Sequence, residues 1–279
     1  MTKNQSPRRP STPNPDKPTG KVRWRSVALP AEHGGWGMLI SPILLGLLVV
    51  PSITAVFLAL AIIASFLART PLKIVWKDGQ KRRRFARTTA AIKVLALYVF
   101  LIVVGFGGAL YFGGWQPLIP LLAVLPLLLL LLYFDLFSTS RQLLPELVAP
   151  LVLSSVTAGM ALAAGWTWPY ALALWSIPLM RSIPAILYVR SRIRMDRNRP
   201  AGARTAVFIH VLATILAIAL AATGYIPALA ALAISILMLR AAINLSTYRH
   251  PMTVKQLGWS EIAFGLMTVL MSAIGYWLI

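Results

Sequence analysis

The stretch 118-LIPLLAVLPLLLLLLYF-134 decides the fold class. It carries no charge, and it lacks the alternation of polar and apolar side chains that a membrane-spanning strand presents to lumen and lipid. A helix of about 20 apolar residues crosses a hydrocarbon core roughly 30 Å thick with every backbone group satisfied internally, so the stretch reads as a spanning helix. Working outward, comparable runs lie near 31–50, 53–73, 89–112, 117–137, 143–164, 168–189, 204–223, 226–246 and 260–279. The sequence therefore predicts an all-α polytopic membrane protein with nine transmembrane helices over residues 29–279. Residues 1–28 are rich in Pro, Ser, Thr and basic side chains and have no apolar run. They cannot offset ordering entropy, and the expectation is a disordered basic tail that stays attached in the cytoplasm.

Composition agrees with a lipid-solvated chain. Of 279 residues, 58% are hydrophobic and only 12% charged, yet 27 Lys and Arg face 7 Asp and Glu, a net charge of +20. The mean hydropathy is +0.75. A soluble enzyme is excluded, and no nucleic-acid partner is expected. The absence of cysteine removes disulfides, thiolate metal sites and a thiol nucleophile. His33, His210 and His250 are too scattered for a metal site, so no bound metal is expected.

In a nine-span arrangement all basic residues fall on one side. They occupy the tail, the interval from Arg69 to Lys93, Arg141, the interval from Arg181 to Arg204, and Arg240, Arg249 and Lys255. The opposite turns (VVPS, YFGGWQP, AAGWTWP, ATGYIP) have no charge and carry aromatic residues suited to an interface. The positive-inside rule then places the N-terminus in the cytoplasm and Ile279 outside. The acids are Asp16 in the tail, Asp78 and Asp196 in the two large basic loops, and Glu32, Asp135, Glu146 and Glu261 near the charged ends of spans. For any one of them the ordinary role is to neutralise a neighbouring base.

Helical periodicity picks out the candidate site. Arg69, Lys73 and Trp76 share a face at the end of the second span, although Pro71 can bend it. Arg181, Tyr188 and Arg192 share a face of the sixth span, with Arg190, Arg194 and Arg197 on the other. Arg181 precedes the charged end by about ten residues, roughly 15 Å of helix, which is deep for a residue that only snorkels. Arg240, Asn244 and Tyr248 form a similar set on the eighth span. The expected binding residues are Arg69, Lys73, Arg181, Tyr188, Arg192, Arg240 and Asn244, and the ligand is an anion, because guanidinium groups fit phosphate or carboxylate. Glu32 and His33, in PAEHGGWG, are the candidate proton acceptors. Ser260 or Glu261 suits a helix cap, and His210 a packed histidine. Pro42, Pro150 and Pro184 are possible helix breaks.

The segments LPAEHGGWGMLISPILLGLL, RTPLKI, SIPAILYVRSRIR and RAAINLSTYRHPMTVKQLGWSEIAFGL resemble those of the bacterial YwiC-like integral membrane proteins, from about Leu29 to the end of the chain. That resemblance implies the bacterial inner membrane. A second resemblance, to the UbiA-type intramembrane prenyltransferases, is architectural: nine spans, a cytoplasmic N-terminus, and active-site motifs at the cytoplasmic ends of the second and sixth helices. It implies a UbiA-like bundle and a prenyl diphosphate or other lipid as substrate. Those enzymes use Asp-rich motifs to hold magnesium, whereas here each segment has one acid, Asp78 or Asp196; the expectation is a metal-independent reaction, with magnesium on one or two carboxylates plus substrate phosphates and waters as the open alternative. The overall expectation is a cytoplasm-facing basic cavity binding an anionic amphiphile among membrane lipids. Transport of a small anion and a non-catalytic assembly role are the alternatives.

Overall fold

The computed structural model describes residues 24–30, 33–80, 85–137 and 142–279. Among them every regular element is a helix: α1 (Trp24–Ala28), α2 (His33–Val49), α3 (Ile53–Gln80), α4 (Ala86–Gly113), α5 (Ile119–Ala123), α6 (Leu125–Phe137), α7 (Leu143–Ala163), α8 (Trp168–Asp196), α9 (Ala203–Ala222), α10 (Ala228–Asn244) and α11 (Val254–Trp277). Six of these, α3, α4, α7, α8, α9 and α11, are long and apolar enough to cross a membrane. The quoted leucine-rich stretch is not one straight helix. A 3-10 turn at Gln116–Leu118 and α5 meet α6 at a bend of 45°. Pro117, Pro120 and Pro126 account for it, since each removes a backbone donor from the helical ladder. Counted as one span, the bent pair raises the number to seven. The remaining apolar helices, α2 and α10, have 17 residues each.

Pro42, Pro150 and Pro184 do not break their helices. α2, α7 and α8 run through them, as α3 runs through Pro71. The last residues of the stretch expected to be tail are packed on the bundle. Trp24–Ala28 is helical, Val27 is buried against Ala90 and Ala91, and the Tyr98 hydroxyl donates to the Ala28 carbonyl at 3.0 Å. A lone valine in a basic segment was too little apolar pattern to reveal this packing.

Neighbouring helices close a circuit in which α2 packs on α7, α7 on α8, α8 on α9, α9 on α10, α10 on α11 and α11 back on α2. The core inside it includes Leu39, Leu45, Met160, Leu174, Ile177, Leu237 and Val269. The α3–α4 hairpin packs against the outside of α7 and α2 through α3. Its two helices approach closely at Gly105, where a Cβ would lie 2.7 Å from the Ala61 backbone nitrogen. Small residues permit such contact, which drives helix association where the hydrophobic effect between helices is absent.

The two ends of the bundle differ chemically. At one end α4, α7 and α9 each finish on a glycine with positive φ, Gly114 (68°), Gly165 (81°) and Gly224 (76°). After α7 and α9 the backbone N–H of the aromatic residue that follows closes the helix, Trp166 N–H donating to Ala161 O and Tyr225 N–H to Leu220 O. Trp166 then meets Tyr276 at 5.5 Å between ring centroids, and the Trp277 indole donates to the Leu48 carbonyl at 2.9 Å. The uncharged turns are thus tied together by aromatic side chains. The opposite end gathers the charges.

Candidate functional site

At the charged end, each of the five described acids outside the tail and α2 entry pairs with arginine. Asp135 of α6 holds Arg69 of α3, with Nε donating at 2.6 Å. Glu146 of α7 holds Arg190 of α8 at 2.5 Å. Asp78 accepts from Arg87 Nη2 at 2.6 Å and from the Thr88 hydroxyl at 2.7 Å, fastening the start of α4 to the end of α3. Asp196 lies 3.2 Å from Arg192 Nε and 3.9 Å from Arg249 Nε. Glu261 of α11 accepts from Arg240 Nη1 of α10 at 2.7 Å. Neutralisation of a neighbouring base is therefore the role in which these acids are found, and most of the pairs clasp one helix to another.

The expected binding residues separate into three groups. Arg69 turns to α6, and Trp76 follows it, edge-on to Phe137 with centroids 5.7 Å apart. Lys73 lies half-buried on α3 between them in sequence. Arg192 is wholly buried, but its donors go to main-chain oxygens: Nη1 to Asn244 at 2.6 Å and Nη2 to His250. Asn244 is the last residue of α10, so this guanidinium sits at the negative end of that helix and holds the α10–α11 connection. Asn244 enters through its carbonyl. Tyr248 is exposed.

The third group is the candidate site. Arg181, buried in α8, donates from Nη2 to the Glu261 carbonyl at 2.7 Å, while Arg240 takes the Glu261 carboxylate. Both arginines are under 10% exposed. The Arg240 Cζ lies 4.2 Å from the ring centroid of Tyr188 and 4.5 Å from that of Phe264. Tyr188 is itself buried and meets His210 edge-on at 6.4 Å. His210 is anchored within its own helix, Nδ1 lying 2.8 Å from the Ala206 carbonyl, as a packed histidine should be. Gly265 makes room for Arg181, because a Cβ there would sit 2.7 Å from Nη2. A cavity of about 10 Å³, the room of one water molecule, lies beside Arg181 between Ser41, Ile177, Gly265 and Thr268. Two buried cations thus meet at Glu261, Arg240 at its carboxylate and Arg181 at its main-chain carbonyl, and Nε and Nη2 of Arg240 have no hydrogen-bond partner among the described residues.

Glu261 is not a helix cap. α11 starts earlier, at Val254, with Thr253 as cap: its hydroxyl accepts from Gln256 N–H at 3.2 Å. Glu261 then sits in the third turn, facing α10 and α8. The signal for its role was in the charge list, since it is the single acid after Asp196 while Arg181 and Arg240 both precede it on neighbouring spans. Phe264 follows one turn later on the same face. Of the candidate proton acceptors, Glu32 and the side chain of His33 lie outside the described residues.

Asp78 and Asp196, one acid per segment, are both engaged by guanidinium groups. Among the described residues no three His, Asp or Glu side chains gather as a metal set. No curated protein and no solved structure matches the chain. Residues 29–158, which run from before α2 into α7, match the YwiC-like protein family.

Proposed function

We propose that this multi-pass membrane protein binds the anionic headgroup of an amphiphile at the α8–α10–α11 cluster, with Arg181 and Arg240 as the cations and Tyr188 as the positioning ring. The observation that carries the reading is that two buried arginines of different helices converge on Glu261, Arg240 on its carboxylate and Arg181 on its main-chain carbonyl. Cations buried in a membrane segment are costly and are retained where they meet a counter-charge, and among the described residues the counter-charge at this cluster is one short. Arg69, Lys73 and Arg192 are not part of this site in the proposal, because Arg69 and Arg192 are engaged elsewhere and Lys73 lies with Arg69 on α3.

The topology proposed around it has nine crossings in the bacterial inner membrane, with the N-terminus cytoplasmic and Ile279 external. Six long helices, one bent pair and the 17-residue helices α2 and α10 supply the nine positions. A 17-residue helix is about 26 Å long, at the lower limit for a span. The segregation of basic residues to alternate connections supports the orientation. The UbiA-like bundle remains part of this proposal as an analogy of architecture, which is a weak guide to chemistry. A transfer reaction is not needed to explain the cluster.

The test is retention of anionic lipid by native mass spectrometry. Arg181→Gln is expected to lose bound anionic lipid, whereas Arg190→Gln, which breaks only the contact with Glu146 on the other face of α8, keeps it. Equal retention in both variants, or a wild-type protein that takes up no anionic lipid, would overturn the proposal. Uptake of a radiolabelled anion into proteoliposomes would instead identify transport.

A further inference from the structure

The guanidinium of Arg240 is used on one side only. Nη1 donates to Glu261, while Nε and Nη2 are buried without a partner among the described residues. Those two nitrogens form one edge of the planar fork, and their N–H groups point the same way, the arrangement that takes two oxygens of one oxyanion side by side. The same molecule shows the edge in use. Arg87 spends Nε and Nη2 on the two oxygens of Asp78, at 3.1 and 2.6 Å. Arg69 turns both nitrogens on Asp135, at 2.6 and 2.5 Å. In Arg192, the two Nη groups hold carbonyls and Nε faces Asp196. Arg240 alone of these four buries the whole edge unpaired, although an unsatisfied buried donor on a charged group is more costly than an ordinary one.

The surroundings favour a ligand over an accident of packing. Tyr188 and Phe264 lie against the guanidinium, and ring faces attract the cation without accepting its in-plane N–H groups in ordinary hydrogen bonds. Tyr188 is 1% exposed and fixed, whereas Phe264 is half-buried, so Phe264 is the plate that can yield to an incoming group. The cluster sits where the charged residues of α8, α10 and α11 gather.

We propose, resting on the anion-binding reading above, that the Nε–Nη2 edge of Arg240 seats two oxygens of a phosphate group, with Glu261 holding the opposite end of the fork and so fixing its direction. The phosphate belongs either to a lipid headgroup or to a free anion. Lysine at this position keeps the charge and loses the fork.

The full-length protein in maltoside detergent is titrated with dioleoyl phosphatidate and, separately, with inorganic pyrophosphate, and binding is read by native mass spectrometry. Arg240→Lys is expected to weaken phosphatidate binding at least tenfold, with Arg190→Lys unchanged. Binding of phosphatidate alone assigns the site to a lipid headgroup, and binding of pyrophosphate as well assigns it to the phosphate itself. Wild-type protein labelled with ¹⁵N-arginine covers the case in which Arg240→Lys does not fold: the Arg240 Nε–H resonance should move on adding phosphatidate. Tight phosphatidate binding with that resonance unmoved, or with Arg240→Lys binding as wild type, overturns this assignment and leaves the anion-binding reading standing. Failure of the wild type to bind either probe removes both.

Discussion

The Arg240–Glu261 pair allows a prediction with an asymmetry built into it. Its side chains are 7% and 17% exposed and meet at 2.7 Å. Breaking a buried pair by removing one partner typically costs about 3–5 kcal/mol, whereas replacing both by apolar residues is often neutral or stabilising. The two single changes are not equivalent here. Arg240→Met leaves Glu261 with Arg181 as a remaining cation beside it, and should fall near the lower limit, about 3 kcal/mol. Glu261→Leu keeps the Arg181 bond to the residue 261 main chain but leaves Arg240 without its carboxylate and the two guanidinium groups without a counter-charge at the cluster among the described residues. That variant should fall near the upper limit, about 5 kcal/mol. The double variant should return to within about 1 kcal/mol of wild type, while its anionic lipid binding stays lost. Reversible unfolding in mixed micelles, by titrating denaturing detergent, gives all four corners of the cycle. Glu261→Leu no more costly than Arg240→Met, or single-variant losses that simply add, would refute the shared-acid arrangement.

Other outcomes follow from packing and topology. Gly105→Val forces a side chain into the Ala61 backbone, 2.7–2.9 Å from the Cβ position, and should cost at least the 1–3 kcal/mol typical of overpacking; Gly107→Val, with nothing within 4 Å, is the matched control in melting temperature. Deleting residues 2–23 should leave the melting temperature unchanged, while deletion through residue 28 loses the buried Val27 and the Tyr98 bond to Ala28, about 2 kcal/mol by the burial of one valine. Reporter fusions at Gln142 and Ile279 should give opposite compartments, cytoplasmic and external; the same compartment at both would rule out nine crossings.

Much of the helix order was legible because a lipid-solvated helix announces itself by continuous apolarity, and the uncharged turns by glycine before an aromatic residue. The limits were less so. α8 and α3 continue several residues beyond their apolar runs, because an α-helix satisfies its own backbone whether lipid or headgroups surround it. α11 begins at Val254 rather than 260 for the same reason, with Thr253 and Gln256 forming the cap in a polar stretch that hydropathy ignores. Proline misled in the opposite direction: Pro42, Pro150 and Pro184 sit inside helices held on several sides by neighbours.

The site was half legible, and the missing half has a physical explanation. Periodicity placed Arg181, Tyr188 and Arg192 on one face of α8, and all three side chains are buried. It could not tell a ligand-binding arginine from a structural one, because Arg192 is held by main-chain carbonyls, and every residue carries one. Side-chain type separates the cations better than position does. Every ion pair among the described residues is made by arginine, whereas Lys77, Lys93 and Lys255 are exposed. A flexible, strongly hydrated ammonium can follow its stem out to the headgroups, while the planar, weakly hydrated guanidinium can be buried if its N–H groups find oxygen. Arg192 leaves only Nε without a hydrogen bond, whereas Arg240 is buried with both Nε and Nη2 unpaired among the described residues, and that unpaired edge is the ground on which an oxyanion is proposed there.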